Sequence, residues 1–177
     1  SLRDLNEVIS ELKKLDRLQG YEISVVGHSW GAFSTLNIAR FHPDIKKIVP
    51  ISGFISPKDI IYQYFNGFLR IFAKGIYKME VKNNPVYMEC SAIDTLKNSD
   101  VKALIFHSPN DHMVNYKKHF LKLQKALEGK EGVEFITVEG GMHNPNYTLR
   151  ALEEKGKFQD EMQRLLKEGK LTTAEEH

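Results

Sequence analysis

Leu2, Leu5, Val8, Ile9, Leu12 and Leu15 recur at helical spacing, and Gly20 stops the run. From Tyr21 to Gly27 the pattern changes to a strand, with Ile23, Val25 and Val26 apolar. A helix is predicted from Gly31 to about Phe41, ended by His42-Pro43-Asp44. Lys47 to Ser52 reads as a second strand, although Pro50 has no N–H to give a central ladder. From about Ile55 to Ser99 the periodicity is helical. Ser56 caps the first of these helices and Pro57 sits in its first turn, while Ile61, Phe65, Phe68, Phe72 and Ile76 mark one apolar face. Asn83-Asn84-Pro85 breaks it, and Ser91 and Asp94 cap a short helix ending near Asn98. Val101 to His107 is a nearly continuous apolar run, as in a strand covered on both faces. Tyr116, Phe120, Leu123 and Leu127 form a helix face that stops at Gly129, and Val133 to Val138 is a fourth strand. One or two closing helices turn Phe158, Met162, Leu165 and Leu166 inward, with Gly156 as a break.

Strands alternating with helices predict an α/β fold, a parallel sheet with helices on both faces. The helical stretch 55–99 is an insertion between two of its strands. In such a sheet, functional side chains gather beyond the carboxyl ends of the strands.

At 177 residues, 41% hydrophobic and 27% charged, the chain is long and apolar enough for one globular domain. A net charge of +2 gives no reason to expect nucleic acid or an acidic membrane as partner. The single cysteine, Cys90, excludes an internal disulfide framework and a multi-cysteine metal site. No apolar run is long enough to span a bilayer. Neither H-E-x-x-H, G-x-x-x-x-G-K-[ST] nor G-x-G-x-x-G occurs, so neither a metal nor a nucleotide cofactor is expected.

The chemistry centres on Val25-Val26-Gly27-His28-Ser29-Trp30-Gly31-Ala32, a strand running through G-x-S-x-G into a helix. That is the pattern of a nucleophile elbow, where a sharp turn presents the serine hydroxyl at the strand's carboxyl end. Glycine is expected on both sides because a Cβ would collide with the tight backbone. Acyl transfer by a serine also needs an imidazole to take its proton and a carboxylate to hold the imidazolium. Ser29 follows the first strand, Asp111 the third and His143 the fourth, so each lies on a loop at the same end of the sheet. His28 reads as structural, since strand alternation points it away from the hydroxyl. His107 and His112 read as packed or solvated, and His42, His119 and His177 as surface residues. Asp59 and Asp94 suit helix capping, and Asp100 falls at the wrong end of its strand. Lys74, Lys78 and Lys82 make a basic stripe that reads as a solvated face.

Gly27-His28-Ser29-Trp30-Gly31, His107-Ser108-Pro109-Asn110-Asp111-His112-Met113-Val114 and Gly140-Gly141-Met142-His143 together resemble the α/β-hydrolase superfamily, with the order Ser, Asp, His. The resemblance implies Ser29 as nucleophile, His143 as general base and then acid, Asp111 as its orienter, and the Trp30 N–H as one oxyanion donor. It covers the carboxyl-terminal part of such an enzyme, with residues 55–99 as a lid and the strands before the elbow absent. An upstream segment or a second chain is then expected to complete the sheet and supply the second oxyanion donor. Phe65, Phe68 and Phe72 either pack on a core or roof an acyl pocket for a small-molecule ester. The expected function is cofactor-free, cytoplasmic cleavage of a carboxylic ester through an acyl-enzyme. Peptidase, thioesterase and acyltransferase chemistry remain open within the fold, as does a non-catalytic fragment that binds a partner.

Overall fold

A computed structural model of the chain describes residues 1–65 and 67–170. Helix α1 (Leu2–Leu12) leads into β1 (Ser24–His28), α2 (Trp30–Asn37) and β2 (Lys47–Ile51). Four helices follow, α3 (Pro57–Tyr64), α4 (Arg70–Asn83), α5 (Pro85–Met88) and α6 (Ala92–Lys97). The chain then runs through β3 (Lys102–His107), α7 (Lys122–Ala126), β4 (Val133–Thr137) and α8 (Leu149–Lys167). It divides into two compact units, Ser1–Pro145 and the segment from Asn146 onward.

In the first unit the four strands form one parallel sheet in the order β1-β2-β3-β4, as the alternation of strands and helices predicts. The fold is that of an α/β-hydrolase sheet with its helices. Register puts Val25 beside Ile48, and Ile48 beside Ala103, in one buried row. Helix α2 packs on β1 and β2 above that row, and α1 and α6 pack on α2. The adjacent row points to the opposite face, and its member on β1, Val26, is 67% exposed. Among the described residues β1 has one strand neighbour, β2, and so forms an edge of the sheet. Pro50 stays within β2, but the pairing to β3 holds at Lys47–Lys102, Ile48–Ala103 and Ile51–Phe106 and lapses between them. The missing proline N–H accounts for that gap.

The capping signals act as expected at Ser56, whose hydroxyl accepts from the Asp59 N–H at 3.1 Å and donates to the Asp59 carboxylate at 2.6 Å. Several other expectations are corrected. The apolar face expected from Ile61 to Ile76 does not run as one face. The backbone leaves the helix at Phe65 (ψ 78°) and turns through left-handed Gly67 (φ 55°), so the helical register is lost between α3 and α4. Phe68 and Phe72 consequently lie exposed. The helix after β3 contains a π-helical stretch, Lys117–Leu121, which turns both His119 and Phe120 inward. His119 and His42 are buried rather than on the surface, and His177 lies outside the described residues. In the second unit α8 runs unbroken through Gly156, and Phe158 and Leu166 are exposed rather than inward-facing.

Candidate active site

The turn from β1 into α2 holds Ser29 at φ 57° and ψ −116°, a conformation that costs a non-glycine residue energy and persists where neighbours over-determine it. Two backbone bonds fix it. The Ser29 N–H donates to the Ile51 carbonyl at 2.9 Å, and the Ser29 carbonyl accepts from the Phe33 N–H at 3.1 Å. Only the first of the two elbow glycines is there for space. A Cβ on Gly27 would strike the Thr35 hydroxyl and the Gly31 carbonyl, whereas one on Gly31 would meet nothing within 4 Å. The expectation of a steric need on both sides is thus corrected at Gly31. Trp30 opens α2, so its N–H belongs to the first turn, where no intrahelical acceptor exists. Its ring meets Phe54 edge-on at 4.8 Å, and Phe54 stacks on Phe33 at 4.8 Å.

His143 lies 114 positions from Ser29 and reaches it, with Nε2 at 2.9 Å from the Ser29 Oγ. Its Nδ1 is 2.9 Å from the Asp111 Oδ2. A carboxylate accepts, so Nδ1 carries the proton and Nε2 presents its lone pair to the serine hydroxyl. Two neighbours hold the loop carrying His143. His28 Nε2–H donates to the His143 carbonyl at 2.6 Å, with the two rings 4.7 Å apart. Asn110 accepts from the Met142 N–H at 3.1 Å, and Met142 is itself left-handed at φ 49°.

Asp111 is held on every side. Its Oδ1 accepts from the N–H groups of Met113 at 2.8 Å and Val114 at 2.9 Å. Its Oδ2, besides facing His143, lies 3.2 Å from His107 Nε2. That nitrogen also reaches the Val114 carbonyl at 3.0 Å, and two acceptors require it to be the protonated one. Burial pushes the Asp111 carboxyl upward, but hydrogen bonds from His107, His143 and the Val114 N–H outweigh it and hold the group well below the usual carboxylate range.

Gln63 on α3 clamps the next stretch of this loop. Its side-chain amide donates to the Met113 carbonyl at 2.9 Å, and its carbonyl accepts from the Asn115 N–H at 2.9 Å. The Tyr64 hydroxyl donates to the same Met113 carbonyl at 2.7 Å. His119 joins the clamp. The Ile55 N–H can only donate, so His119 Nδ1 accepts it at 3.3 Å and Nε2–H donates to the Gln63 Oε1 at 3.0 Å. Burial pushes the His119 pKa down to about 4.

The structure therefore brings Ser29, His143 and Asp111 into one hydrogen-bonded row beyond the carboxyl ends of β1, β3 and β4. His112 is exposed. Of the lid aromatics, Phe65 is half-buried and Phe68 and Phe72 are exposed. His107, expected to be packed or solvated, is packed and reaches Asp111. Gln63 and Tyr64 carry no signal in the sequence, and Asn110 stands out only as part of the loop that carries Asp111. Among the described residues no group of three or more His, Cys, Asp or Glu is placed to hold a metal ion. No described helix is long and apolar enough to cross a membrane.

Residues 1–165 match the prolyl oligopeptidase family. No curated protein matches the chain. Among solved structures it resembles the esterase domain of a Rhodothermus marinus protein, at 19% identity and a TM-score of 0.56, over 82% of this chain and 62% of that one. It resembles the Pyrococcus furiosus esterase Pf2001 at 16% identity and a TM-score of 0.61, over 92% of this chain and 61% of that one. A third likeness is to the Pyrococcus horikoshii acylaminoacyl peptidase, at 18% identity and a TM-score of 0.57, over 80% of this chain and 23% of that one. At these identities the likeness is one of fold. The chain spans about three fifths of the length of the two esterase structures.

Proposed function

The chain belongs to the prolyl oligopeptidase family, a family of serine-hydrolase type, and from that premise we propose that it cleaves a carboxylic ester through an acyl-enzyme. The observation that carries the reading is His143 at 2.9 Å from both Ser29 and Asp111. In the first step His143 Nε2 takes the Ser29 proton as Oγ attacks the carbonyl carbon. Asp111 keeps the imidazole in the correct tautomer and stabilises the imidazolium. The Trp30 N–H donates to the oxyanion. His143 then returns the proton to the departing alcohol and activates the water that releases the acid. No cofactor enters. Phe65, Phe68 and Phe72 would meet the acyl group.

The reading includes further polypeptide at β1, from an upstream segment or a second chain. Its support is that β1 has one strand neighbour among the described residues and that Val26 is exposed, since an apolar edge strand invites a partner. That partner would bring the second oxyanion donor. The reading also includes a cytoplasmic location, which suits the lone free thiol of Cys90. A second reading, peptide-bond cleavage, is favoured by the family itself and by the acylaminoacyl peptidase likeness. It uses the same three side chains.

Labelling with a fluorophosphonate probe, followed by peptide mapping, tests the mechanism. The expected adduct is on Ser29. Ser29→Ala should remove the adduct and lower ester turnover by about 10⁶-fold without loss of fold. Turnover that survives the substitution overturns the reading, and matched ester and anilide substrates decide between the two bond types.

A further inference from the structure

A net charge of +2 conceals a local asymmetry. From Ile60 to Met79 the chain has no Asp or Glu, and its charged residues are Arg70, Lys74 and Lys78. Within α4 these cations recur every fourth residue, and Lys82 continues the series, so they share one stripe of the helix. Helix α4 buries one side chain, Ala73. At 100° per residue Ile71, Lys78 and Lys82 fall on the side opposite Ala73, flanked by Phe72 and Met79. Ile71 is 73% exposed and Phe72 and Met79 are more than half exposed. Phe68, in the turn just before, is 89% exposed.

A helix on a globular domain normally turns its apolar stripe to the core. Helix α4 turns apolar side chains outward beside a row of cations, which is the pattern of a helix that lies in a lipid–water interface. Arg70 extends the basic side into a neighbouring cavity of about 580 Å³, lined also by Lys58, Lys118, Lys122 and Asp59. That single carboxylate is already engaged by Lys122 at 3.1 Å and by Ser56 at 2.6 Å, so the cavity keeps an excess of positive charge.

We propose that α4, the turn before it and the rim of this cavity dock the protein on an anionic lipid bilayer. Arg70, Lys74, Lys78 and the cavity lysines meet the headgroup phosphates and carboxylates, while Phe68, Ile71, Phe72 and Met79 enter the acyl boundary. Charge complementarity selects an anionic surface. The interleaving of apolar and cationic side chains on a convex helix favours a fluid bilayer, which admits both without a matching pocket. Phe68 and Phe72 are shared with the acyl contact proposed above, but the inference does not rest on the hydrolytic reading, because it is read by binding alone.

Flotation of the protein with phosphatidylcholine vesicles, with and without about one third phosphatidylserine, tests it. Binding is expected only to the vesicles that contain phosphatidylserine, and it should weaken as sodium chloride rises. Neutralising Lys74 or Lys78 singly (Lys74→Gln, Lys78→Gln) should weaken partitioning about fivefold each. Arg70→Glu, Lys74→Glu and Lys78→Glu together should abolish it. Lys46→Glu with Lys102→Glu, at the amino-terminal end of the sheet, should leave it unchanged. Equal binding to neutral vesicles, no binding to phosphatidylserine vesicles at low salt, or undiminished binding by the triple variant would overturn the proposal. The vesicle comparison and salt titration use the unaltered chain, so they decide the matter even if a variant fails to fold.

Discussion

The loop from Ser108 to Asn115 and helix α4 both adjoin α3, yet they are held by opposite means. In the loop, the Asp111 carboxylate takes bonds from His107, His143 and two main-chain N–H groups, and Gln63 and Tyr64 fasten the Met113 carbonyl behind it. Helix α4 buries Ala73 and turns Ile71, Phe72 and Met79 to solvent. Polar bonding has a fixed direction and length, so it positions a charge to within tenths of an ångström. Apolar contact has no direction, and an unused apolar face is free to meet whatever surface comes to it. The first region is built for geometry and the second for contact. Helix α3 takes part in both, through Gln63 on one side and the turn into α4 on the other.

The comparison is tested most severely at Asp111. Asp111→Asn should lower kcat by about 10⁴-fold, because the amide no longer fixes the His143 tautomer or stabilises its charged form. The stability difference between the two proteins also has a definite pH dependence. The folded carboxyl titrates below its unfolded value, so its contribution is present above about pH 4 and disappears as the pH falls below that. Urea unfolding of both proteins at a series of pH values measures it, and a constant difference would mean that Asp111 is not held by charge.

His119 comes next. Its folded pKa is about 4. The unfolded chain, with an ordinary histidine near 6.5, takes up the proton first as the pH falls. Stability should therefore decline between about pH 6.5 and pH 4, by about 3 kcal/mol in all, and be flat above that window as far as this group is concerned. His119→Gln should remove most of that slope.

Gln63→Leu sharpens the link between the regions. The Met113 carbonyl, the Asn115 N–H and the His119 ring would each lose a partner. With the Asp111 loop loosened but the substrate surface intact, kcat should fall about 10- to 100-fold and KM stay nearly constant. A change confined to KM would place Gln63 in substrate contact instead.

The smallest effect is expected on α4. Ile71→Ser should shift unfolding free energy by no more than about 0.5 kcal/mol, since the side chain is exposed. Ala73→Leu, two residues on, should cost about 1–3 kcal/mol by overpacking. Equal costs would show that the outer side of α4 is covered, and the contrast between the two regions would collapse.

Local pattern determined a good deal of this protein. Helical spacing placed α1, short apolar runs placed all four strands, and the capping residues Ser56 and Ser91 marked the starts of α3 and α6, because those elements are set by near neighbours in sequence. G-x-S-x-G located the turn at Ser29, and the loops after β3 and β4 pointed to Asp111 and His143, because parallel strands deliver their following loops to one end. Tertiary packing decided the rest. Gln63 meets Met113 and Asn115 across 50 and 52 positions, and no periodicity couples residues that far apart. His119 looks like any exposed histidine between lysines until a π-helical stretch turns it into the core. Phe65, Phe68 and Phe72 keep helical spacing in sequence, yet the break at Phe65 and Gly67 separates them into differently oriented turns. A sequence pattern assigns a face only while the backbone holds its period, and the chain breaks that period where three-dimensional contacts outweigh local preference.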